Sequence, residues 1–135
     1  MTEHYYFDTS IWIDIYDKRG YHGEAAKKLM EKIIMGDHLI LYSDIIILEL
    51  KKLDFSEQEI LALFKIAKPD HMRRVHTSKE HIEQARKLAK ERDVPLGDAL
   101  HALLTRENDA QLVSRDRDFE KLKDITITKK PEDLL

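Results

Sequence analysis

Apolar positions along this chain follow two alternating periods. Short apolar runs occur at HYYFD (4–8), HLILY (38–42), AQLVS (110–114) and DITIT (124–128), with MRRVH (72–76) a weaker fifth. Such runs, rich in β-branched and aromatic residues, predict strands. Between them lie longer stretches with one apolar stripe. Ala25, Ala26, Leu29, Met30, Ile33 and Ile34 predict a helix from Glu24, with a turn bracketed by Gly20 and Gly23 before it and Gly36–Asp37 ending it. Thr9 or Ser10 is placed to cap a short helix to about Asp17, and Ser43 or Asp44 one to about Leu53. Ser56 and Glu59 have capping-box spacing ahead of Ile60, Leu61, Phe64 and Ala67. Thr77 or Ser78 opens a further helix, and Pro95 and Gly97 break the chain before one with Ala99, Leu100, Leu103 and Leu104 inward. A short turn or helix covers 116–122. Short apolar strands alternating with longer helices predict an α/β domain with a mainly parallel sheet.

Composition narrows the function classes. A chain of 135 residues with 42% apolar residues fits one domain, 1–135, with a full core. No stretch of 18 apolar residues is present, so no membrane span is expected. The start, MTEHYYFDTS, lacks the pattern of a signal peptide, and a cytoplasmic location is expected. The absence of cysteine excludes disulfides, thiolate catalysis and zinc–thiolate sites. Lys and Arg number 23 against 26 Asp and Glu, giving a net charge of -3. That balance argues against a general basic coat for nucleic acid, while leaving room for a basic rim around an acidic centre.

Four carboxylates stand at the ends of otherwise apolar segments. They are Asp8 in YYFDTSIWID, Glu49 in SDIIILEL, Asp98 in PLGDALHALL and Asp116 in LVSRDRDF. A carboxylate flanking an apolar run is costly unless it is solvated, paired or metal-bound. Active sites of open parallel sheets lie outside the carboxyl ends of the strands. Asp8 closes the first predicted strand, and Asp116 lies just beyond the one ending at Ser114. Asp98 falls near a helix N-terminus, where the dipole favours negative charge. Glu49 sits in a helix among Ile46, Ile47 and Leu50, within reach of the sheet edge. One oxygen-rich pocket for Mg²⁺ or Mn²⁺ is the expectation. Each acid also has a local reading as a cap, a solvated helix residue, a first-turn residue or a turn residue. With 26 acidic positions the count alone decides little, and the local contexts carry more.

Those contexts resemble the PIN-domain ribonucleases, and among them the toxin ribonucleases of toxin–antitoxin pairs. DTSIWID after a first strand, ILEL, GDALHALL and LVSRDRDF carry the resemblance, which runs from Asp8 to the tail KKPEDLL. It implies a three-layer α/β/α fold around a central parallel sheet. Asp8, Glu49, Asp98 and Asp116 would be the catalytic, metal-binding acids, and Asp118 an auxiliary acid. Ser10 and Ser114 match hydroxyl positions able to hold a carboxylate or a metal-bound water. The implied activity is Mg²⁺- or Mn²⁺-dependent hydrolysis of single-stranded RNA by a metal-activated water, restrained by a protein antitoxin. A homodimer or higher homo-oligomer is implied too, with Ile11, Trp12 and Ile15 as contributors. The alternatives are an RNA-processing nuclease without an antitoxin, or a catalytically silent module binding RNA or protein. A phosphatase with a DxDxT motif is disfavoured, because Ser10 stands where its second acid belongs.

Arg115 and Arg117, flanking Asp116, rank first as phosphate contacts, ahead of Arg73, Arg74, Lys51 and Lys52. His101, one turn after Asp98, is read as a packing or rim residue rather than a phosphate ligand. Trp12 and Tyr16 are read as core or interface anchors rather than base-stacking platforms.

Overall fold

A computed structural model describes residues 2–17 and 20–135. Five strands form one sheet: β1 (His4–Phe7), β2 (Leu39–Tyr42), β3 (Met72–Arg74), β4 (Gln111–Val113) and β5 (Thr128–Lys129). Their order is β3-β2-β1-β4-β5, and every pairing is parallel. Six α-helices connect them: α1 (Thr9–Asp17), α2 (Gly20–Met35), α3 (Asp44–Lys52), α4 (Glu57–Lys65), α5 (Lys79–Arg92) and α6 (Leu96–Glu107). Two 3₁₀ segments, Arg117–Leu122 and Pro131–Leu134, flank β5. Helices α1 to α4 contact one another as one group, and α5 packs on α6 as a second. This is the three-layer α/β/α arrangement expected.

The central strand is β1, with Tyr6 aligned to Leu41 of β2 and to Leu112 of β4. Tyr6, Phe7, Leu41 and Leu112 are all fully buried, as continuous apolar strands covered on both faces should be. Trp12 joins Phe7 to Phe64, with ring centroids 5.4 and 4.9 Å away. Trp12 is therefore a core anchor. Ile11 and Ile15 are buried with it, so these three do not form an exposed dimer surface, contrary to the sequence expectation. None of the described helices is long and apolar enough to cross a membrane.

Two element boundaries differ from the sequence reading. Helix α2 begins at Gly20 rather than Glu24. Gly23 lies on the buried stripe with Ala26 and Met30, three and seven residues on, so it belongs to the packed face of the helix. The expected strand 124–128 is largely a turn, with β5 starting only at Thr128. The amides of Ile125 and Thr126 both donate to the Leu122 carbonyl, and Ile127 is exposed. Local turn bonds take the donors that a strand would need.

Candidate functional site

The strand order reverses between β1 and β4. The chain builds β1, β2 and β3 outward on one side and then places β4 on the other side of β1. Such a switch point opens a crevice at the carboxyl ends of its two strands. Asp8 follows β1, and Ser114 to Asp116 follow β4.

Asp8 is buried at the start of α1. Its amide donates to the Val113 carbonyl of β4 at 3.0 Å, which ties its backbone to the switch point. Its carboxylate accepts three hydrogen bonds: from the Thr9 amide at 2.8 Å on Oδ1, and from Ser10 Oγ at 3.0 Å and Ser114 Oγ at 2.8 Å on Oδ2. A carboxylate offers about four acceptor positions, so the spare capacity lies on Oδ1. Ser114 Oγ also accepts from the Asp116 amide at 3.0 Å, linking Asp8 to Asp116 through one hydroxyl.

Glu49 reaches the site from α3. Its Oε1 accepts from Thr9 Oγ1 at 2.6 Å and pairs with His101 Nε2 at 2.7 Å. Burial alone would raise this carboxyl, but the hydrogen bond and charge of His101, with the bond from Thr9, outweigh it and hold Glu49 below the usual range. His101 itself is fully buried. Burial opposes its charged form, yet the Glu49 bond and the charges of Asp8, Glu49 and Asp98 together raise its pKa. Its Nδ1 bonds the Tyr6 hydroxyl at 2.8 Å, and that hydroxyl bonds Ser43 Oγ at 2.7 Å. His101 is thus packed in the interior, as expected, and is at the same time a polar hub.

Asp98, Asp116 and Asp118 make the other half. Asp98 is the third residue of α6 and is buried. Asp116 is exposed and caps the 3₁₀ segment by accepting from the Asp118 amide at 2.9 Å. Oxygens of these three carboxylates lie within 4.8 Å of one another, and so do ligand atoms of Asp8, Glu49 and His101. Burial, followed by the negative charges of Asp116 and Asp8, pushes the Asp98 carboxyl up to about 8. The fold therefore brings together all four acids singled out in the sequence, with Asp118, Ser10 and Ser114 beside them.

A family model described as the PIN domain matches residues 5–125. The chain belongs to the PIN-domain family. Solved structures with a similar fold include VapBC2 from Rickettsia felis bound to a DNA fragment from their promoter, at 18% identity and a TM-score of 0.69, covering 94% of this chain and 98% of that one. A toxin–antitoxin complex from Klebsiella pneumoniae matches at 23% identity and a TM-score of 0.63, covering 94% and 97%. VapBC-1 from nontypeable Haemophilus influenzae matches at 18% identity and 0.66, covering 96% and 98%. No curated protein sequence matches the chain.

The acids of this PIN domain fit a hard divalent cation. Asp98 Oδ2 is buried without a hydrogen-bond partner among the described residues. A buried oxygen without a donor, beside two more carboxylates, is costly unless a proton or a cation compensates it. An all-oxygen triad of Asp98, Asp116 and Asp118 suits Mg²⁺ or Mn²⁺. Among the described residues, Asp8 Oδ1 accepts one hydrogen bond and Glu49 Oε2 accepts none.

The two arginines flanking Asp116 part company. Nη1 of Arg115 donates to Glu132 Oε2 at 2.8 Å, its Nη2 lies 2.7 Å from Glu132 Oε1, and its Nε is 3.6 Å from Asp14. Its side chain is only 14% exposed. Arg115 is therefore a structural tie between β4, α1 and the C-terminal 3₁₀ segment. Nη1 is thus committed to Glu132, and the carboxylates of Glu132 and Asp14 balance the charge of the guanidinium. Arg74 is engaged by Asp44 at 2.6 Å. Arg117 is exposed. Arg115→Met should cost about 1–3 kcal/mol, read by urea unfolding, because it leaves Glu132 and Asp14 uncompensated. Arg117→Ala should change stability by less than about 0.5 kcal/mol.

Sequence reasoning missed Thr9, Tyr6, Ser43 and Gly97. Tyr6 stands two residues before Asp8, so a strand places both on one face, and that spacing was the available signal. Thr9 and Ser43 were read only as helix caps. Their hydroxyls instead serve Glu49 and Tyr6.

Proposed function

We propose that this PIN domain is a Mg²⁺- or Mn²⁺-dependent endoribonuclease acting on single-stranded RNA, and that it is the toxin of a toxin–antitoxin pair. The observation that carries the proposal is the donorless, buried oxygen of Asp98 set among the negative charges of Asp116 and Asp8. Asp8, Glu49, Asp98 and Asp116 are the catalytic and metal-holding acids in this reading, and Asp118 is auxiliary. A divalent cation bound there supplies Lewis-acid charge and lowers the pKa of a water. Ser10 and Ser114 fix the rotamer of Asp8 by occupying Oδ2, which leaves Oδ1 for the centre. Asp116, the solvent-facing acid, orients the attacking water and takes up its proton. Attack at phosphorus expels the 3′ oxygen and leaves 5′-phosphate and 3′-hydroxyl ends. Arg117 steers the phosphate backbone from the rim.

Two features support a protein partner. The structures with a similar fold include VapBC2, VapBC-1 and a toxin–antitoxin complex. Leu48 and Leu53 at α3, with Leu61 and Ile66 at α4, are all more than half exposed. Apolar surface of that kind suits an antitoxin segment or a second copy of the chain.

The test is incubation of the purified chain with single-stranded RNA in Mg²⁺, in Mn²⁺ and in EDTA, followed by analysis of the RNA ends. Cleavage requiring either cation and leaving 5′-phosphates is expected. Cleavage in EDTA, or 2′,3′-cyclic phosphate ends, would refute hydrolysis by a metal-activated water. No cleavage of any RNA would leave a silent binding module.

A further inference from the structure

Ser43, Tyr6 and His101 are each fully buried, and they form an unbroken polar chain that ends on Glu49. Three polar side chains in a row inside an apolar core are costly unless every group is satisfied and the arrangement serves something. Here the direction of the chain is fixed at its far end. A carboxylate oxygen accepts, so His101 Nε2, 2.7 Å from Glu49 Oε1, carries the hydrogen of that bond. That hydrogen sits on Nε2 in the neutral tautomer fed by the Tyr6 hydroxyl and equally in the doubly protonated ring. Thr9 Oγ1 delivers a second hydrogen bond to the same oxygen, at 2.6 Å. Both donors therefore converge on Oε1. The other oxygen, Oε2, receives none from the described residues and lies over Gly97, where an added Cβ would come within 2.6 Å of it. The bare backbone of Gly97 leaves Oε2 its position.

We propose that His101 is a positioning residue that, with Tyr6 and Ser43 behind it, locks the Glu49 carboxylate so that Oε1 is spent inside the protein and Oε2 is the oxygen offered to the divalent cation. The inference rests on the metal-dependent reading above. His101 touches neither substrate nor cation in this arrangement. Partners of this kind behind a metal ligand contribute about 10–100-fold in metal affinity.

The experiment is a calorimetric titration of the full chain with Mn²⁺ alone, beside melting curves, for the wild type, His101→Leu, His101→Gln and Tyr6→Phe. Leu keeps the volume and removes the donor. Gln restores a donor toward Glu49. Phe cuts the chain at Tyr6 without touching Glu49. The expected order of Mn²⁺ affinity is wild type, His101→Gln, His101→Leu, with a loss of about tenfold or more at Leu and about threefold or more at Tyr6→Phe. Recovery by Gln separates positioning from bulk packing. A folded His101→Leu that binds Mn²⁺ within twofold of the wild type overturns the proposal. If that variant does not fold, Tyr6→Phe decides: unchanged affinity overturns the proposal, and a loss supports it. A wild type that binds no Mn²⁺ removes the metal-dependent reading itself, and this proposal with it. Equal binding by all four proteins removes only the role of His101.

Discussion

Asp98→Asn should make the metal-free protein more stable at pH 8 while removing the proposed metal-dependent cleavage of RNA. The two effects have one cause. The Asp98 carboxyl is pushed up to about 8 by burial and by the charges of Asp116 and Asp8. A carboxyl whose folded pKa lies above its unfolded value binds more protons when folded. Its contribution to stability is complete below the unfolded pKa, near 3.9, and is lost as pH rises toward the folded one. The metal-free wild type should therefore melt progressively lower between about pH 4 and 8 on account of this group. Asn cannot ionise, and its amide can donate to the neighbouring carboxylates, so the gain at pH 8 should be on the order of 1–3 kcal/mol. Mg²⁺ or Mn²⁺ should raise the melting temperature of the wild type at pH 8 and release protons near pH 7, and should do much less for the Asn variant. Cleavage should fall by at least about a hundredfold, since even outer-shell partners of a metal contribute 10–100-fold. Melting curves across pH, with and without the cation, check both effects. A variant that is destabilised at pH 8, or still cuts at the wild-type rate, would show that Asp98 is not the strained acid of the centre.

Gly97→Ala should weaken metal binding and cleavage by about tenfold or more. The added methyl would stand 2.6 Å from Glu49 Oε2. A free glutamate tip would swing away at little cost, but this one is pinned by Thr9 at 2.6 Å and His101 at 2.7 Å on its other oxygen. The methyl therefore displaces the carboxylate or breaks those bonds. Gly97 is the second residue of α6, where Ala is favoured over Gly by up to about 1 kcal/mol. That gain offsets part of the cost of disturbing the two bonds, so function should fall far more than stability. Urea unfolding paired with Mn²⁺ titration reads both quantities. Wild-type affinity in the Ala protein would mean that the position of Oε2 over Gly97 is irrelevant to the site.

Local pattern made much of this molecule legible, and distant contacts made the rest obscure. Strands β1, β2 and β4 and the caps Ser56 and Ser78 follow from apolar period and capping chemistry, which act over a few residues. Asp8 and Asp116 were readable because a parallel sheet fixes where strand ends point. Gly23 was misread as a turn signal because its role depends on α1 packing against α2. DITIT alternates like a strand, but the turn bonds to Leu122 decide its backbone. His101 was legible as a packed residue but not as a polar hub, because its partners Glu49 and Tyr6 lie 52 and 95 residues away. Arg115 was not legible as a tie to Glu132, because nothing in its local sequence reveals that residue, 17 positions on, folding back against it. In each case the missing information was the identity of a neighbour supplied by the fold.

The most direct measurement is an anomalous difference map from crystals of the wild-type chain soaked in Mn²⁺. A peak is expected within about 2.0–2.6 Å of carboxylate oxygens of Asp98 and Asp116, with Asp8 reached directly or through one water. A map at millimolar Mn²⁺ with no peak there, or with peaks only at other carboxylates, would contradict a divalent cation as the reason these acids are gathered.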